Sequence, residues 1–433
     1  MKPQSHPQLS LPLKLLVVGV LYFAEGIPFG FVYTTLSFYM RGQGVPLEDI
    51  GILSLLGLAW SFKFFWSPLA DRFGSRAAWL VPAQVAIIAC LLALAFLAGK
   101  PVTLVFWLLV GLLCVASATQ DLAVDAYSID ILEVKELGLA NGIRNGAYRV
   151  GVLSAGAGLL IVSDRVGWSP AFVGVSVMMA AMALTVLIFR PFRLPRPEEA
   201  KPANPAVSGP LSRFAEALRG LKRHPYIGVI ILFTLLYKAG DALMGSMVSP
   251  FWKDQGFSAT EFGVVSGIFG SVATILGGLL GGIFTSRCGI GPGLWALGLF
   301  QAVSNLGYWV AAFPGMTRLV LWQVSLPGLQ TPVAIHPIYL ASQGESLSSG
   351  LGSAAFMAFL MSLCDKRFSA TQYAFFAMLF GLSGRIMGYL GGWGAKHFGY
   401  GNFFFLTFLA ALPAFALLPW ILPVVRGIEG KDQ

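Results

Sequence analysis

The chain has 433 residues and a mean hydropathy of +0.74, with 56% hydrophobic and only 11% charged side chains, roughly half the charged share of a soluble domain. Twenty acidic and 29 basic residues cannot coat a soluble protein of 46.4 kDa, and apolar stretches of about 20 residues, the length a bilayer requires, recur from end to end. The composition describes an all-α polytopic membrane protein and leaves no polar domain on which the +9 charge would form a nucleic-acid face.

In chain order, the apolar runs between charged or Pro/Gly-rich breaks predict twelve transmembrane helices, over 12–40, 46–69, 79–99, 102–127, 141–162, 169–189, 225–250, 261–285, 292–313, 335–363, 370–393 and 401–425. The first run is far longer than a signal-peptide core and is expected to stay as a span. Gly315–Val333, broken by Pro327 and Pro332, is too short to cross unaided and reads as a loop excursion or an interfacial helix. Residues 190–224 are the only long polar connection. They read as a solvated linker between an N-terminal six-helix bundle (1–189) and a C-terminal one (225–433).

Lys and Arg set the orientation. With a cytoplasmic N-terminus, 18 of the 29 fall on the cytoplasmic side and 6 on the other, while Lys63, Arg144, Arg149, Lys238 and Arg385 lie inside spans. Both termini are therefore expected in the cytoplasm. Cys90, Cys114, Cys288 and Cys364 show no paired spacing, and His6, His224, His336 and His397 are scattered. No metal, cofactor or disulfide framework is expected.

The halves repeat. Leu21-Tyr22-Phe23-Ala24 matches Leu236-Tyr237-Lys238-Ala239 at an offset of 215, Gln43–Ser54 matches Gln255–Ser266 at 212, and Asp71-Arg72-Phe73-Gly74 aligns with Ser286-Arg287-Cys288-Gly289 at 215. Parallel six-helix repeats of this kind organise major facilitator transporters. The loop Ser67–Arg76 (SPLADRFGSR) resembles the facilitator signature G-x-L-x-D-R-x-G-x-R, with Ser67 in place of its first glycine. Gly74 permits a tight turn and Asp71 can pair with a base or a helix end. Asp71, Arg72, Gly74, Arg76 and Arg287 are the expected gating residues, joined by Asp130 near the end of span four.

A narrower resemblance follows from Trp60–Gln84, ATQDLAVDAYSIDIL (Ala118–Leu132), LYKAGDALMGSM (Leu236–Met247) and LGSAAFMAFLMSLCDKRFSATQYAFF (Leu351–Phe376). These stretches resemble the AmpG muropeptide permeases, in the peptide/acetyl-coenzyme A transporter group of the major facilitator superfamily, and the likeness runs through both halves. The resemblance implies proton-driven import of anhydro-sugar peptides from cell-wall turnover across the bacterial inner membrane. A monomer is expected. Glu25 and the Pro-rich 315–333 stretch have no clear counterpart in that family and leave another cargo open, such as acetyl-coenzyme A or a siderophore. A non-transporting receptor on the same scaffold is the rival class. No clustered His, Cys or Ser/His set favours an enzyme.

Ionic groups at membrane depth are costly, so they face a cavity or each other. Glu25 precedes Gly26-Ile27-Pro28, able to loosen span one. Asp121 and Asp125 share a face of span four, and two close carboxylates do not both ionise cheaply. These three are the expected proton-coupling acids. The expected substrate contacts are Gln120, Arg144, Arg149, Tyr237, Lys238, Asp241, Glu345 and Arg385. Arg144 and Arg149 stand about 140° apart around one helix, so at most one faces a given acid. Lys238 and Asp241, three apart, either neutralise each other or meet a substrate carboxylate. Tyr22, Tyr148, Trp309 and Tyr373 are further candidates for stacking on sugar rings. The pairs Gly277-Gly278, Gly281-Gly282 and Gly391-Gly392 are expected to let helices approach closely.

Overall fold

The computed structural model describes residues 10–66, 76–132, 137–188, 220–221, 226–325, 333–364 and 369–429. Nearly all of these are helical. Eight helices among them are long and apolar enough to cross a membrane. One of these, Phe375–Gly427, is 53 residues long and bends at Gly399, where φ is +70°. The chain divides into two compact units.

The first unit comprises Met1–Val45, Leu56–Pro202 and Ser258–Gly263. Its helices are α1 (Leu11–Gly42), α3 (Leu58–Phe62), α4 (Arg76–Leu97), α5 (Leu104–Ile131), α6 (Leu137–Leu153), α7 (Leu159–Val166), α8 (Trp168–Ile188) and the short α11 (Ala259–Phe262). Their polarity is inverted relative to a soluble protein. On α5, Leu108, Leu112 and Val115 are exposed, whereas Ser117, Gln120 and Asp121 are buried. The apolar core joins Val17, Val18, Leu21 and Tyr22 of α1 to Leu80 of α4 and Val124 and Tyr127 of α5.

Helices α1 and α6 cross with backbone against backbone. A Cβ on Gly26 would strike Tyr148 O and Val152 N, and one on Gly151 would strike Phe23 O. Glycine is required there because only backbone faces it and backbone cannot yield. Further along, Pro28 takes one amide out of the α1 ladder, and Phe31–Leu36 widens into a π-helical turn. It meets a second π-helical turn, Ser154–Gly158, where Thr35 Oγ1 reaches the carbonyls of Ala155 at 2.7 Å and Gly156 at 3.2 Å. Wide turns expose such carbonyls, and a buried hydroxyl satisfies them. Ser258 caps α11 reciprocally with Glu261, and Phe262 stacks on Phe38 at 5.6 Å.

The second unit comprises Pro46–Leu55, Ala203–Phe257 and Val264–Gln433. It holds α2 (Leu47–Leu56), α9 (Ile227–Leu236), α10 (Ala239–Asp254), α12 (Gly270–Cys288), α13 (Ile290–Ala311), α14 (Pro337–Ser362) and α15 (Ser369–Glu429). Phe233, Tyr237, Phe356, Phe359 and Phe415 form its aromatic core. Close helix approach recurs. A Cβ on Gly277 or Gly281 of α12 would meet the α14 backbone at Leu347 or Leu351, and one on Gly350 would meet Thr274 O. Gly391 abuts Leu243 O, and Gly392 abuts Leu47 O and Gly51.

In its described part the segment expected as a loop or interfacial helix is turn and irregular backbone over 315–321, with a short strand after it. Trp322–Val324 (β1) and Val333–Ile335 (β2) pair antiparallel, with Gln323 opposite Ala334. The Trp, Val and Ile residues of these strands favour extended backbone. Most of the expected linker, 190–224, lies outside the described residues.

Candidate functional site

Each unit gathers ionic side chains from its spans. In the first, Asp125 of α5 is the hub. Its Oδ2 accepts from Lys63 Nζ at 3.1 Å, and its Oδ1 accepts from Arg144 at 3.0 Å and from the Tyr22 hydroxyl at 2.8 Å. The Arg144 guanidinium also lies 4.5 Å from the centre of the Tyr22 ring, a cation–π contact that fixes the planar group over the aromatic face. The close α1–α6 crossing is what brings Tyr22 and Arg144 together. Asp121, one turn before Asp125 on the same helix, lies within reach of the Trp60 indole. It is 5% exposed, and Glu25 on α1 is 9% exposed. Glu25, Asp121, Asp125, Lys63 and Arg144 all lie close enough to act on one another's charge. Three acids face two bases.

Lys63 has no role in the sequence reading beyond its place among the five in-span bases. It reaches Asp125 because α2 and α3 break at Gly57 and Lys63–Phe65 tightens into a 3-10 turn. Its signal in the sequence was the single charge inside the aromatic run WSFKFF.

In the second unit the chain breaks between α9 and α10 at Tyr237-Lys238, and Lys238 leaves helical geometry with φ −105° and ψ 9°. Interrupted helices place backbone and charge inside transporters. From this break Lys238 Nζ reaches Asp241 Oδ2 at 3.4 Å and the Ser349 carbonyl of α14 at 3.2 Å. Glu345 of α14 interacts with both Lys238 and Asp241, and its own carboxylate accepts from Ser346 at 3.4 Å. Two acids face one base.

The remaining expected residues are placed as follows. Gln120 is fully buried next to Asp121 in the chain, with both amide atoms unpartnered. Arg149 is exposed and Arg385 half-buried. Tyr237 packs its ring on Phe356 at 4.9 Å, and its hydroxyl donates to the Leu294 carbonyl at 3.2 Å, so it is a core residue with its polar atom engaged. Tyr373 donates to Met357 Sδ at 3.6 Å. Trp309 packs on Phe405 and Tyr148 on Phe29. Arg287 is exposed in the last turn of α12. Asp71, Arg72 and Gly74 lie outside the described residues, as do the side chains of Arg76 and Asp130. Among the described residues no group of three or more His, Cys, Asp or Glu has metal-site geometry.

A helical membrane fold in two units, each with paired ionic groups at membrane depth, defines a transporter rather than an enzyme, and the chain belongs to the Major Facilitator Superfamily, whose family model matches residues 18–343. Its branch is that of the AmpG-type permeases. The Anhydromuropeptide permease of Escherichia coli K12 is 33% identical over 413 residues, covering 93% of this chain and 78% of the relative. An uncharacterized protein of Haemophilus influenzae is 30% identical over 425 residues, covering 95% of each chain. Among solved structures, a bacterial homolog of the human lysosomal transporter Spinster matches with a TM-score of 0.70 at 16% identity, covering 98% of this chain and 99% of that one, and shares the fold. The chain is thus a multi-pass membrane protein that carries a small-molecule substrate.

Proposed function

We infer that the protein imports anhydro-muropeptides across the bacterial inner membrane by proton-coupled alternating access. The observation that carries the cargo assignment is the 33% identity to a muropeptide permease along 93% of the chain. The coupling assignment draws on charge. In each unit the interacting carboxyls outnumber the cations by one, and an uncompensated carboxyl at membrane depth is a group that can take up and release a proton. On this reading Glu25, Asp121 and Asp125 serve coupling, with Lys63 holding Asp125. Arg144, Lys238, Asp241, Glu345 and Gln120 contact an anionic or zwitterionic sugar-peptide, with Arg149 and Arg385 nearer the access routes. The loop around Asp71–Arg76, together with Asp130 and Arg287, serves gating.

The remaining assignments are a monomer with both termini in the cytoplasm, bundles over 1–189 and 225–433, and a linker at 190–224. Twelve spans follow if α2–α3, α13 and α14 cross with the apolar helices and α15 counts as two. A substrate-bound, protonated carrier would favour one access state over the other by differential binding alone.

Uptake of anhydro-muropeptides into vesicles, with and without an imposed proton gradient, is the test. Accumulation above the external concentration only with the gradient is expected. Active, folded protein that accumulates no muropeptide overturns the cargo, and accumulation indifferent to the gradient overturns the coupling.

A further inference from the structure

Aromatic side chains cluster in two ways in this molecule. Phe233, Tyr237, Phe356 and Phe359 of the second unit are at most 5% exposed and fill a core. Phe29 and Tyr33 of α1, Trp60 of α3 and Tyr148 of α6 also gather, yet all four stay partly exposed. Their ring centres lie 4.5 Å apart for Phe29 and Tyr33, 6.0 Å for Phe29 and Trp60, 6.1 Å for Tyr33 and Trp60, and 6.2 Å for Phe29 and Tyr148.

Helix phase ties this group to the ionic cluster. Phe29 follows Glu25 by four residues, Tyr148 follows Arg144 by four, and Trp60 precedes Lys63 by three. Residues so spaced share a helix face. Asp121, within reach of the Trp60 indole, likewise precedes Asp125 by four. A layer of rings therefore lies one turn, about 5.4 Å, along from the contacts that join Lys63, Asp125 and Arg144. Those three side chains keep 29%, 30% and 43% of their surface exposed. Charge at membrane depth faces a cavity rather than lipid, so the rings on the same faces border the same space.

The internal repeat does not carry the rings over. At the offset of 215, Phe29 and Tyr33 correspond to Met244 and Val248, and pairing Arg149 with Arg385 sets Gly384 opposite Tyr148. Ionic side chains, by contrast, gather in both units. Packing common to the two halves therefore does not require the rings.

We propose that this aromatic layer is a subsite for a sugar ring of the cargo. A pyranose has a face of C–H groups and a rim of hydroxyls. The C–H face lies against aromatic rings, whose electron-rich faces attract its hydrogens. The rim needs donors and acceptors, which the ionic layer supplies one turn away. Small-molecule sites combine aromatic walls with a few placed polar groups in this way. Trp60 offers the largest face, and Phe29 stands between it and Tyr148. A bare peptide chain brings no pyranose, so this layer is where the protein reads the sugar. The inference rests on the muropeptide reading above.

Binding of the two halves of the cargo tests it. Equilibrium dialysis of the full chain in detergent is run with the peptide-free disaccharide that ends in an anhydro-sugar, and separately with the sugar-free peptide. The wild type is expected to bind the disaccharide, and failure to do so overturns the subsite with no variant needed. Trp60→Leu and Tyr148→Leu, on different helices, are each expected to weaken disaccharide binding about tenfold and peptide binding less than about twofold. Trp60→Phe keeps a ring and is expected to weaken disaccharide binding about threefold. Unchanged disaccharide affinity in both leucine variants overturns the proposal. Equal loss of disaccharide and peptide does so too, since the rings would then only hold the fold. Where a leucine variant melts early, Trp60→Phe decides on the same two ligands: an unchanged disaccharide affinity, or an equal fall for the peptide, overturns the subsite. Failure of the muropeptide reading looks different. Vesicles then accumulate no muropeptide, while disaccharide binding still depends on the rings.

Discussion

The two ionic clusters are built differently. Asp125 binds partners 103, 62 and 19 residues away in the sequence, on α1, the turn after α3, and α6. Lys238 and Asp241 are three residues apart at one helix break, with only Ser349 and Glu345 brought from α14. A network whose members ride on separate helices reports their relative positions, since a shift of an ångström or two breaks 3 Å contacts. A local pair survives the same shift. The comparison teaches that similar charge excess can serve two ends. On the proposed reading, the distributed cluster is the one suited to sense conformation, and the local one to meet an incoming carboxylate.

The largest expected effect tests the distributed cluster. Asp125→Asn keeps the shape of the side chain but removes the charge that Lys63 and Arg144 share. Two cations are then left with two acids that lie further off. Gradient-driven accumulation is expected to fall about a hundredfold, equivalent to about 2.7 kcal/mol at 1.36 kcal/mol per decade. Counterflow exchange of cargo should fall much less. Equal loss in both assays would mean that Asp125 only holds the fold, and the contrast with the second unit would dissolve.

The next effect tests the local pair. Lys238→Met preserves the length of the aliphatic stem and removes the ammonium, leaving Asp241 and Glu345 as a purely acidic site. Apparent affinity for muropeptide should drop about tenfold, or about 1.4 kcal/mol, as measured by the substrate dependence of uptake. The ratio of accumulation with and without the gradient should stay near the wild-type value. A variant that binds normally but loses this ratio would assign coupling to the second unit instead.

How much of this was legible beforehand follows from the range of each interaction. Hydropathy is a local property, so the helical membrane architecture and helix ends such as α8 and α14 could be read from the residues. The three-residue spacing of Lys238 and Asp241 was equally visible, being a matter of sequence alone. The partner of Asp125 was not fully visible. Arg144 could be suggested by helical phase, but Lys63 arrives only through the break at Gly57, which hydropathy does not mark. The β1–β2 hairpin was missed because its strands are three residues each, too short for alternation to register. The buried amides of Gln84, Gln301 and Asn305, which have no hydrogen-bond partner, look like ordinary polar residues in a sequence, and only burial on all sides makes them anomalous. Glu25 and Asp121 stood out from the start because charge in an apolar run needs no structure to be noticed.

The smallest expected effect separates charge from shape within the second unit. Glu48 on α2 pairs with Lys396 on α15, but the two side chains are 35% and 48% exposed. Exposed pairs contribute about 0.5 kcal/mol, because water screens the attraction and both chains lose freedom on pairing. The same two helices touch through glycine: a Cβ on Gly392 would strike Leu47 O and Gly51, and its cost is steric. Glu48→Gln is therefore expected to lower the melting temperature by about 2 °C or less, with transport unchanged. Gly392→Val, forced against backbone that cannot move aside, is expected to cost at least about 1–3 kcal/mol and to shift melting several-fold further. Thermal melts of both variants in one detergent settle the order. Should Glu48→Gln prove the more damaging, the α2–α15 contact is held by its ion pair, and exposed charge matters here far more than its burial predicts.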